Sequence, residues 1–380
     1  MFPVRNFKRF VLKAVKQPGY AFGVGMRRLQ AGVWYHLGRG ASSLPESITL
    51  FLTYRCNLQC KMCGQWGDKG VTKQQSPELI REELTQEQLR VFIAQVAGFK
   101  PNITLFGGEP LLHPACAEVV RQIKEGGMHC LIITNGALLE EKAESLLDGG
   151  LDELNISLDG DEKLHDRIRG MPGLFSRILR GLRRLRELKE ERGLKRPLVN
   201  LQCAISASNY RELDKMPAVA RDAGADSLTF HHLIFLEEER LQAQKEVSRR
   251  LRCSHEPWEG FVFEPGIDVE ELLPKITALK SRQYPFALDF YPNFTPEDVR
   301  AYYERQGTAL CRCQSPWIAA YVFPNGDVRP CLNYDYSFGN IKHTAFRRIW
   351  NSKAAVRYRR FLKERGAFPA CRRCTELFRY

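Results

Sequence analysis

The chain has 380 residues, 44% hydrophobic and 27% charged, enough to bury a large core and carry a small appended domain. Twelve cysteines without a secretory signal indicate a reducing compartment and metal ligation rather than a disulfide framework. The net charge of +13 belongs to the ends. Residues 1–40 hold eight Lys or Arg and no Asp or Glu, and residues 342–380 hold twelve basic and two acidic residues; with +8 and +10 there, the stretch between carries −5.

Residues 1–45 read as a basic amphipathic segment, in which Phe2, Phe7, Phe10, Val15, Phe22, Trp34 and Tyr35 are interleaved with Lys and Arg. No apolar run approaches the ~20 residues of a membrane span. The apolar h-region and small-residue cleavage site of a signal peptide are missing. Two readings stand. The segment lies on an anionic membrane surface, or it is a helix packed on the following domain with a solvated basic face. The first makes the protein cytoplasmic and peripheral at the inner membrane face, and suits a lipid-linked substrate; the second suits a soluble small molecule or peptide. Nucleic acid is a weaker partner, because the cations follow no RNA-binding motif.

The apolar strand pattern Ser47–Tyr54 leads into Cys56-Asn57-Leu58-Gln59-Cys60-Lys61-Met62-Cys63, a C-x3-C-x2-C run. Three thiolates on one short loop cannot close a tetrahedral zinc site, which takes four protein ligands. They can hold three irons of a [4Fe–4S] cube and leave the fourth open to a ligand. The spacing also differs from ferredoxin runs, where each cube has four cysteines.

Further strand patterns follow at Asn102–Phe106, Met128–Thr134, Glu153–Leu158, Leu198–Ile205 and Ser227–Phe235, with helical patterns around Thr85–Ala97, Pro114–Glu125, Glu140–Asp148, Gly173–Arg192 and Asn209–Ala223. This alternation predicts βαβ units, a parallel sheet and an α/β fold curling toward a barrel. The strand ends carry the motifs. Phe106-Gly107-Gly108-Glu109-Pro110 joins glycines, which let a backbone approach a ligand closely, to a carboxylate acceptor. Thr134-Asn135-Gly136 ends the third strand. Ser157-Leu158-Asp159-Gly160 ends the fourth, followed by His165-Asp166 and Arg169-Gly170. Each alone is an ordinary turn signal; their order on successive strand ends is specific.

In that order the chain resembles the radical S-adenosylmethionine (SAM) superfamily. The resemblance implies a partial (β/α)6 TIM-type barrel over residues 46–235, with the site at the C-terminal ends of the strands. Cys56, Cys60 and Cys63 would ligate the cluster, and SAM would chelate its open iron. Gly107, Gly108, Glu109 and Pro110 would receive the SAM amino group. Ser157, Asp159 and Arg169 would lie in the ribose- and carboxylate-contacting region, and Asn135 is a further cofactor-binding candidate. Met62 departs from the usual aromatic before the third cysteine; its adenine contact runs largely through backbone, so methionine serves. His231 and His232 near the sixth strand's end read as one packed and one solvent-facing residue, or one as a substrate contact.

Residues 236–305 are the least legible. Glu237–Arg240 and Lys245–Arg252 suggest charged helix, which Pro257, Pro265, Pro274, Pro285, Pro292 and Pro296 interrupt. The stretch is expected to link two domains and shape the substrate pocket. Beyond it, Pro324-Asn325-Gly326-Asp327 forms a turn joining Ala319–Phe323 to Val328–Cys331 as a hairpin. Residues 306–380 resemble the SPASM/Twitch extension of radical SAM enzymes. With six residues after Cys374, one auxiliary [4Fe–4S] cluster is expected, held by Cys313, Cys331, Cys371 and Cys374. Cys311 could replace Cys313, and a four-cysteine zinc site is the competing reading. Cys130 and Cys203 read as small buried hydrophobes.

The resemblance implies reductive cleavage of SAM and hydrogen abstraction from a small-molecule, lipid-linked or peptide substrate, with electrons from a partner such as flavodoxin or ferredoxin. Oxidation, carbon–carbon or carbon–sulfur bond formation and epimerisation are all compatible outcomes. The alternative is a non-catalytic iron–sulfur or zinc scaffold that binds a partner through its basic ends.

Overall fold

The computed structural model describes residues 18–304 and 312–378. After helix α1 (Pro18–Leu37) come β1 (Ser47–Phe51), α2 (Gln86–Ala97), β2 (Asn102–Phe106), α3 (Cys116–Glu125), β3 (Cys130–Thr134), α4 (Leu139–Asp148) and β4 (Glu153–Ser157). They are followed by α5 (Glu162–Arg169), α6 (Leu174–Glu191), β5 (Leu198–Ile205), α7 (Met216–Asp222) and β6 (Ser227–His232). Strands β1 to β6 lie side by side in chain order, each parallel to the next. This is the expected partial-barrel arrangement. Thr85 caps α2 with a capping box to Gln88, and Gly170 ends α5 at φ +72°, a conformation glycine adopts freely.

Burial alternates with period two along β2, β3 and β5. Ile103, Leu105, Cys130, Ile132, Leu201, Cys203 and Phe230 are buried and join Phe92, Ile93, Val119 and Ile178 of the helices in one core. Cys130 and Cys203 are thus packing residues, as expected. The opposite, inner face holds Thr104, Asn155, Asn200, Gln202, Thr229 and His231, aligned by register. Such a polar row suits the lining of a site rather than a packed core.

The region that was hard to read contains α8 (Glu238–Leu251), α9 (Val269–Ser281), β7 (Ala287–Tyr291) and α10 (Pro296–Tyr303). β7 extends the sheet in parallel beside β6. Its burial pattern has no fully buried alternation, because it is the sheet's last strand. Several prolines sit where they cost little: Pro257 and Pro296 open helical turns.

The expected hairpin forms as β8 (Ala319–Val322) and β9 (Asp327–Arg329), followed by β10 (Gly339–Asn340), α11 (Phe346–Trp350) and α12 (Lys353–Arg365). It does not stand apart. β8 pairs in parallel with β1, so all ten strands form one sheet in the order β10-β9-β8-β1-β2-β3-β4-β5-β6-β7. This covers the β1 edge, whose open hydrogen-bonding groups would otherwise be a liability. The last described residues bridge the two sides of the opening. Tyr291 of β7 donates to Thr375 O (3.4 Å), Tyr321 of β8 donates to Glu376 (3.2 Å), and Phe294 packs edge-on against Phe378.

Helix α1 packs at the N-terminal ends of the strands. Arg28 pairs with Glu46 just before β1 (2.9 Å), Arg27 donates to the carbonyls of Phe99 and Lys100 just before β2, and Tyr35 meets the Trp317 ring edge-on. Residues before Pro18 lie outside the described residues.

Candidate active site

The three-cysteine loop leaves the C-terminal end of β1 and is held by the end of β2. Gly108 N donates to Thr53 O and Glu109 N to Arg55 O, both at 2.8 Å. A Cβ on Gly107 would lie 2.7 Å from Thr53 O, and one on Gly108 would lie 2.3 Å from Arg55 O. The close approach these glycines permit is therefore to the cysteine loop's own backbone, where the sequence had suggested a ligand. Asn135 donates from Nδ2 to Asn57 Oδ1 (2.8 Å), tying the same loop to the end of β3. Asn57, inside the cysteine run, was not singled out by sequence because nothing local marks its partner.

Glu109 is buried. It accepts from Leu111 N (3.0 Å), Thr134 Oγ1 (2.7 Å) and Asn135 N (2.8 Å). Burial pushes its pKa up to about 7, against the three hydrogen bonds.

Asp159 follows β4 and is fully buried. It accepts from Ala204 N (2.9 Å) and from Arg169 Nε (2.6 Å), while Arg169 Nη1 reaches Cys60 Sγ at 3.7 Å. Burial opposes the Arg169 charge, but Asp159 and Cys60 outweigh it and hold the guanidinium protonated. His165 accepts at Nδ1 from Asp159 N (3.1 Å), and burial lowers its pKa to about 4, so it is neutral. Asp166 caps the start of α6 through Phe175 N (2.9 Å). The H-D-x-x-R-G pattern thus orients Asp159, caps a helix, reaches the cysteine loop and ends α5. Asn209 also holds this corner, donating to Asp159 O and Ala204 O. It lies fifty residues from Asp159 in sequence and carried no local signal.

Cys60 is buried, Cys56 and Cys63 half-buried, and all three are free thiols. Burial pushes the Cys56 thiol up to about 12, with Glu109, Cys60 and Cys63 acting the same way; burial also raises Cys60, which Arg169 partly offsets. Burial thus favours the neutral thiols of Cys56 and Cys60, and a cationic metal centre is what would hold them as thiolates. Trp66 N donates to Cys63 Sγ (3.4 Å), a sulfur-directed bond of the kind that tunes clusters. Met62 is half-buried on this loop, and Ser157 is half-buried at the end of β4.

His232 is packed. Its Nδ1 lies 2.9 Å from Tyr303 Oη, and burial lowers its pKa to about 3. His231 lies on the inner face, its ring 5.6 Å from that of Tyr291.

The segment between β6 and β7 covers the cysteine loop. A Cβ on Gly64 would strike the Phe261 ring at 2.6 Å, and one on Gly260 would meet Gly64 O. A cavity of about 190 Å³ opens there, lined by Tyr54, Gln65, Phe261, Phe323, Arg329 and Asp335. Arg329 lies over the Phe323 ring and pairs with Asp335 at 2.9 Å.

Cys313, Cys331, Cys371 and Cys374 gather from four places: before β8, after β9, and the turn Pro369–Arg373 with its cap. Burial raises all four thiols, and most raise one another further; Cys371 reaches about 11. Glu376 adds negative charge beside Cys313, Cys331 and Cys374 and accepts from Ser315 and Tyr321. A nest of thiols with this charge balance fits an iron–sulfur centre. Cys311 lies outside the described residues.

Comparison with known proteins agrees with this arrangement. The Radical SAM superfamily model matches residues 50–195, and the SPASM iron–sulfur cluster-binding domain model matches residues 311–375. The chain is 27% identical over 342 residues to Fe-coproporphyrin III synthase of Methanosarcina barkeri, covering 82% of this chain and 78% of that protein. It is 33% identical over 198 residues to the AdoMet-dependent heme synthase of the same organism, a match spanning about half of each chain (51% and 52%). Among solved structures, SuiB of Streptococcus suis superposes with a TM-score of 0.60 at 13% identity, over 83% of this chain and 68% of that one. The chain belongs to the radical SAM superfamily and is a SPASM-containing enzyme that binds SAM, a [4Fe–4S] cluster and auxiliary iron–sulfur centres.

Proposed function

We propose that this enzyme generates a radical from SAM at Cys56, Cys60 and Cys63 and abstracts hydrogen from a carbon of its substrate, assisted by one auxiliary [4Fe–4S] cluster on Cys313, Cys331, Cys371 and Cys374. The observation that carries the reading is the junction at which Gly107, Gly108, Glu109, Asn135 and Arg169 all meet the three-cysteine loop. When bound and reduced by a carrier such as flavodoxin or ferredoxin, cluster and SAM supply a one-electron cleavage that yields a hydrogen-abstracting species. The chain's residues orient. Glu109 is the acceptor for the SAM amino group, with Gly107, Gly108 and Pro110 shaping the backbone beside it. Asn135, Ser157 and Asp159 line the ribose side, Arg169 offers its guanidinium to the carboxylate, and the Met62 backbone meets the adenine. The turn around Phe261 excludes water from the loop.

The cavity of about 190 Å³ beside the loop is smaller than the ~300–1,000 Å³ of a drug-sized site. It accommodates an arm of a larger molecule, such as a peptide side chain or a substituent of a tetrapyrrole. Relatives of both kinds exist: Fe-coproporphyrin III synthase, and the subtilosin biosynthesis protein AlbA of Bacillus subtilis at 22% identity over 83% of this chain. We also assign α1 as a peripheral anchor on an anionic membrane surface; its exposed Leu29, Val33 and Leu37 support this.

Anaerobically reconstituted protein reduced with dithionite should release 5′-deoxyadenosine and hold about eight irons, four for each cube. Changing Cys56, Cys60 and Cys63 together to Ala should abolish release and leave about four. Undiminished 5′-deoxyadenosine from that variant would overturn the assignment.

A further inference from the structure

Helix α1 has an unusual outer surface. Val24, Ala31 and Tyr35 are buried against the protein, while Met26, Leu29, Val33 and Leu37 are 43%, 62%, 50% and 77% exposed. Positions 26, 29, 33 and 37 share one helical face, turned away from the buried one. A surface helix ordinarily presents charge there. No helix among the described residues is long and apolar enough to cross a membrane, and α1 itself carries Arg27 and Arg28.

On the flank of α1 that carries Gly23 and Arg27 lies a cavity of about 370 Å³ at the N-terminal ends of β2, β3 and β4. Arg27, Lys100, Lys124 and Arg196 line it, with Asp152 as the one carboxylate. Lys124 and Arg196 share Asp152, and Arg27 donates to the carbonyls of Phe99 and Lys100, so the lining carries more cationic than anionic side chains. The Lys100 ammonium lies over Gly127, where a Cβ would come within 3.2 Å of Nζ. Further cations lie near the helix: Arg347 lies over the Phe99 ring, whose carbonyl receives Arg27 at mid-helix, and at the C-terminal end Lys363 donates to His36 O and lies over the Tyr35 ring. An apolar stripe with a cationic hollow beside it matches a bilayer surface, where acyl chains lie beneath phosphate groups.

We infer that this hollow is a binding site for the phosphate of an anionic phospholipid headgroup, filled when the Met26–Leu37 face of α1 enters the membrane interface. The inference rests on the peripheral-anchor reading above. It adds the ligand chemistry and the orientation: the hollow is at the opposite end of the strands from the cysteine loop, so the docked enzyme holds its barrel mouth away from the membrane. A substrate arm would then reach the site from solution.

The test uses full-length protein and three vesicle types: phosphatidylcholine alone, phosphatidylcholine with phosphatidylglycerol, and phosphatidylcholine with oleate at matched surface charge. Cosedimentation should be strongest with phosphatidylglycerol, because oleate supplies its charge as a carboxylate and the phosphate of phosphatidylcholine is offset by its own choline. Lys100→Glu should weaken binding to phosphatidylglycerol vesicles roughly thirtyfold, at about 1 kcal/mol for the lost attraction and a similar repulsion gained, and should leave binding to oleate vesicles less affected. Lys100→Gln should fall between, and SAM cleavage and the melting curve should match wild type in both. Leu29→Glu with Val33→Glu should abolish binding to both charged vesicle types. Equal binding to phosphatidylglycerol and oleate vesicles, unmoved by Lys100→Glu, would overturn the headgroup site while keeping the anchor. No binding to any vesicle at low salt would overturn the anchor and, with it, the lipid source. Wild-type binding of inorganic phosphate without vesicle preference would make the hollow a soluble-anion site and overturn the inference. A dimer in sedimentation velocity that Leu29→Glu dissociates would replace the membrane by a second copy.

Discussion

Glu109→Gln should make the protein more stable than wild type above neutral pH while weakening SAM binding. The carboxyl group is 1% exposed, and burial raises its pKa from 4.5 to about 7. Between those values the folded chain keeps a proton that the unfolded chain has released. Stability contributed by this residue is therefore fully present below pH 4.5 and is lost as the pH rises through 7. At about 1.4 kcal/mol per pH unit, the interval amounts to roughly 3 kcal/mol. Glutamine does not titrate and is spared that loss, although its NH2 group faces one of the donors from Asn135, Thr134 or Leu111, at a cost of about 1 kcal/mol or more. The assay is urea unfolding of cluster-free protein, followed by tryptophan fluorescence at pH 5 and pH 8. Subtracting wild type from variant cancels every other titrating group, and the difference should move by roughly 3 kcal/mol in the variant's favour. A difference that stays flat, or that moves toward wild type, would mean that the three hydrogen bonds hold Glu109 ionised and that burial does not dominate. Calorimetry on reconstituted protein should meanwhile give weaker SAM binding for the variant.

Three further outcomes are expected. Arg169→Lys keeps a charge but cannot reach Asp159 and Cys60 together, so iron content should hold while the potential of the radical SAM cluster falls by on the order of tens of millivolts, read by spectroscopic redox titration. Gly108→Ala places a Cβ 2.3 Å from Arg55 O and should loosen the cysteine loop, seen as iron loss from that cluster with the auxiliary one retained. Arg359→Met removes a fully buried guanidinium that lies 4.1 Å over Trp350 and donates to Pro316 O (2.7 Å) and Trp350 O (2.9 Å). It leaves the Pro316 and Trp350 carbonyls without that donor and should cost about 1–3 kcal/mol for each, and limited proteolysis should then open the α12 region first.

Joining β8 to β1 has a consequence for how the two cysteine groups communicate. The hairpin that leads to Cys331 continues the barrel's own sheet. Tyr321, whose hydroxyl reaches Glu376 beside those thiols, pairs in register with Thr49 on the strand that leads to the three-cysteine loop. A rigid path of adjacent backbone therefore links the two centres, and their spacing is set by strand pairing rather than by a linker.

Much of this protein is determined by residues that act locally. Period-two burial marks β2 and β5 at the bounds their sequences suggest, because alternation needs no distant information. The cysteine run is legible because three ligands on one loop constrain the chemistry by themselves. Thr85, at the start of the predicted helical pattern, caps its helix for the same reason. What the fold decided depends on partners far away in sequence. Gly107 and Gly108 carry no sign that they make room for Thr53 and Arg55. Asn57 and Asn209 are unremarkable until strand order brings them to Asn135 and Asp159. β7 is hard to recognise because an edge strand packs on one side and needs no strong pattern. The apolar residues of the N-terminal segment divide into a packed face and an exposed one only once α1 has docked, since periodicity locates faces on a helix but contact alone decides which of them meets protein.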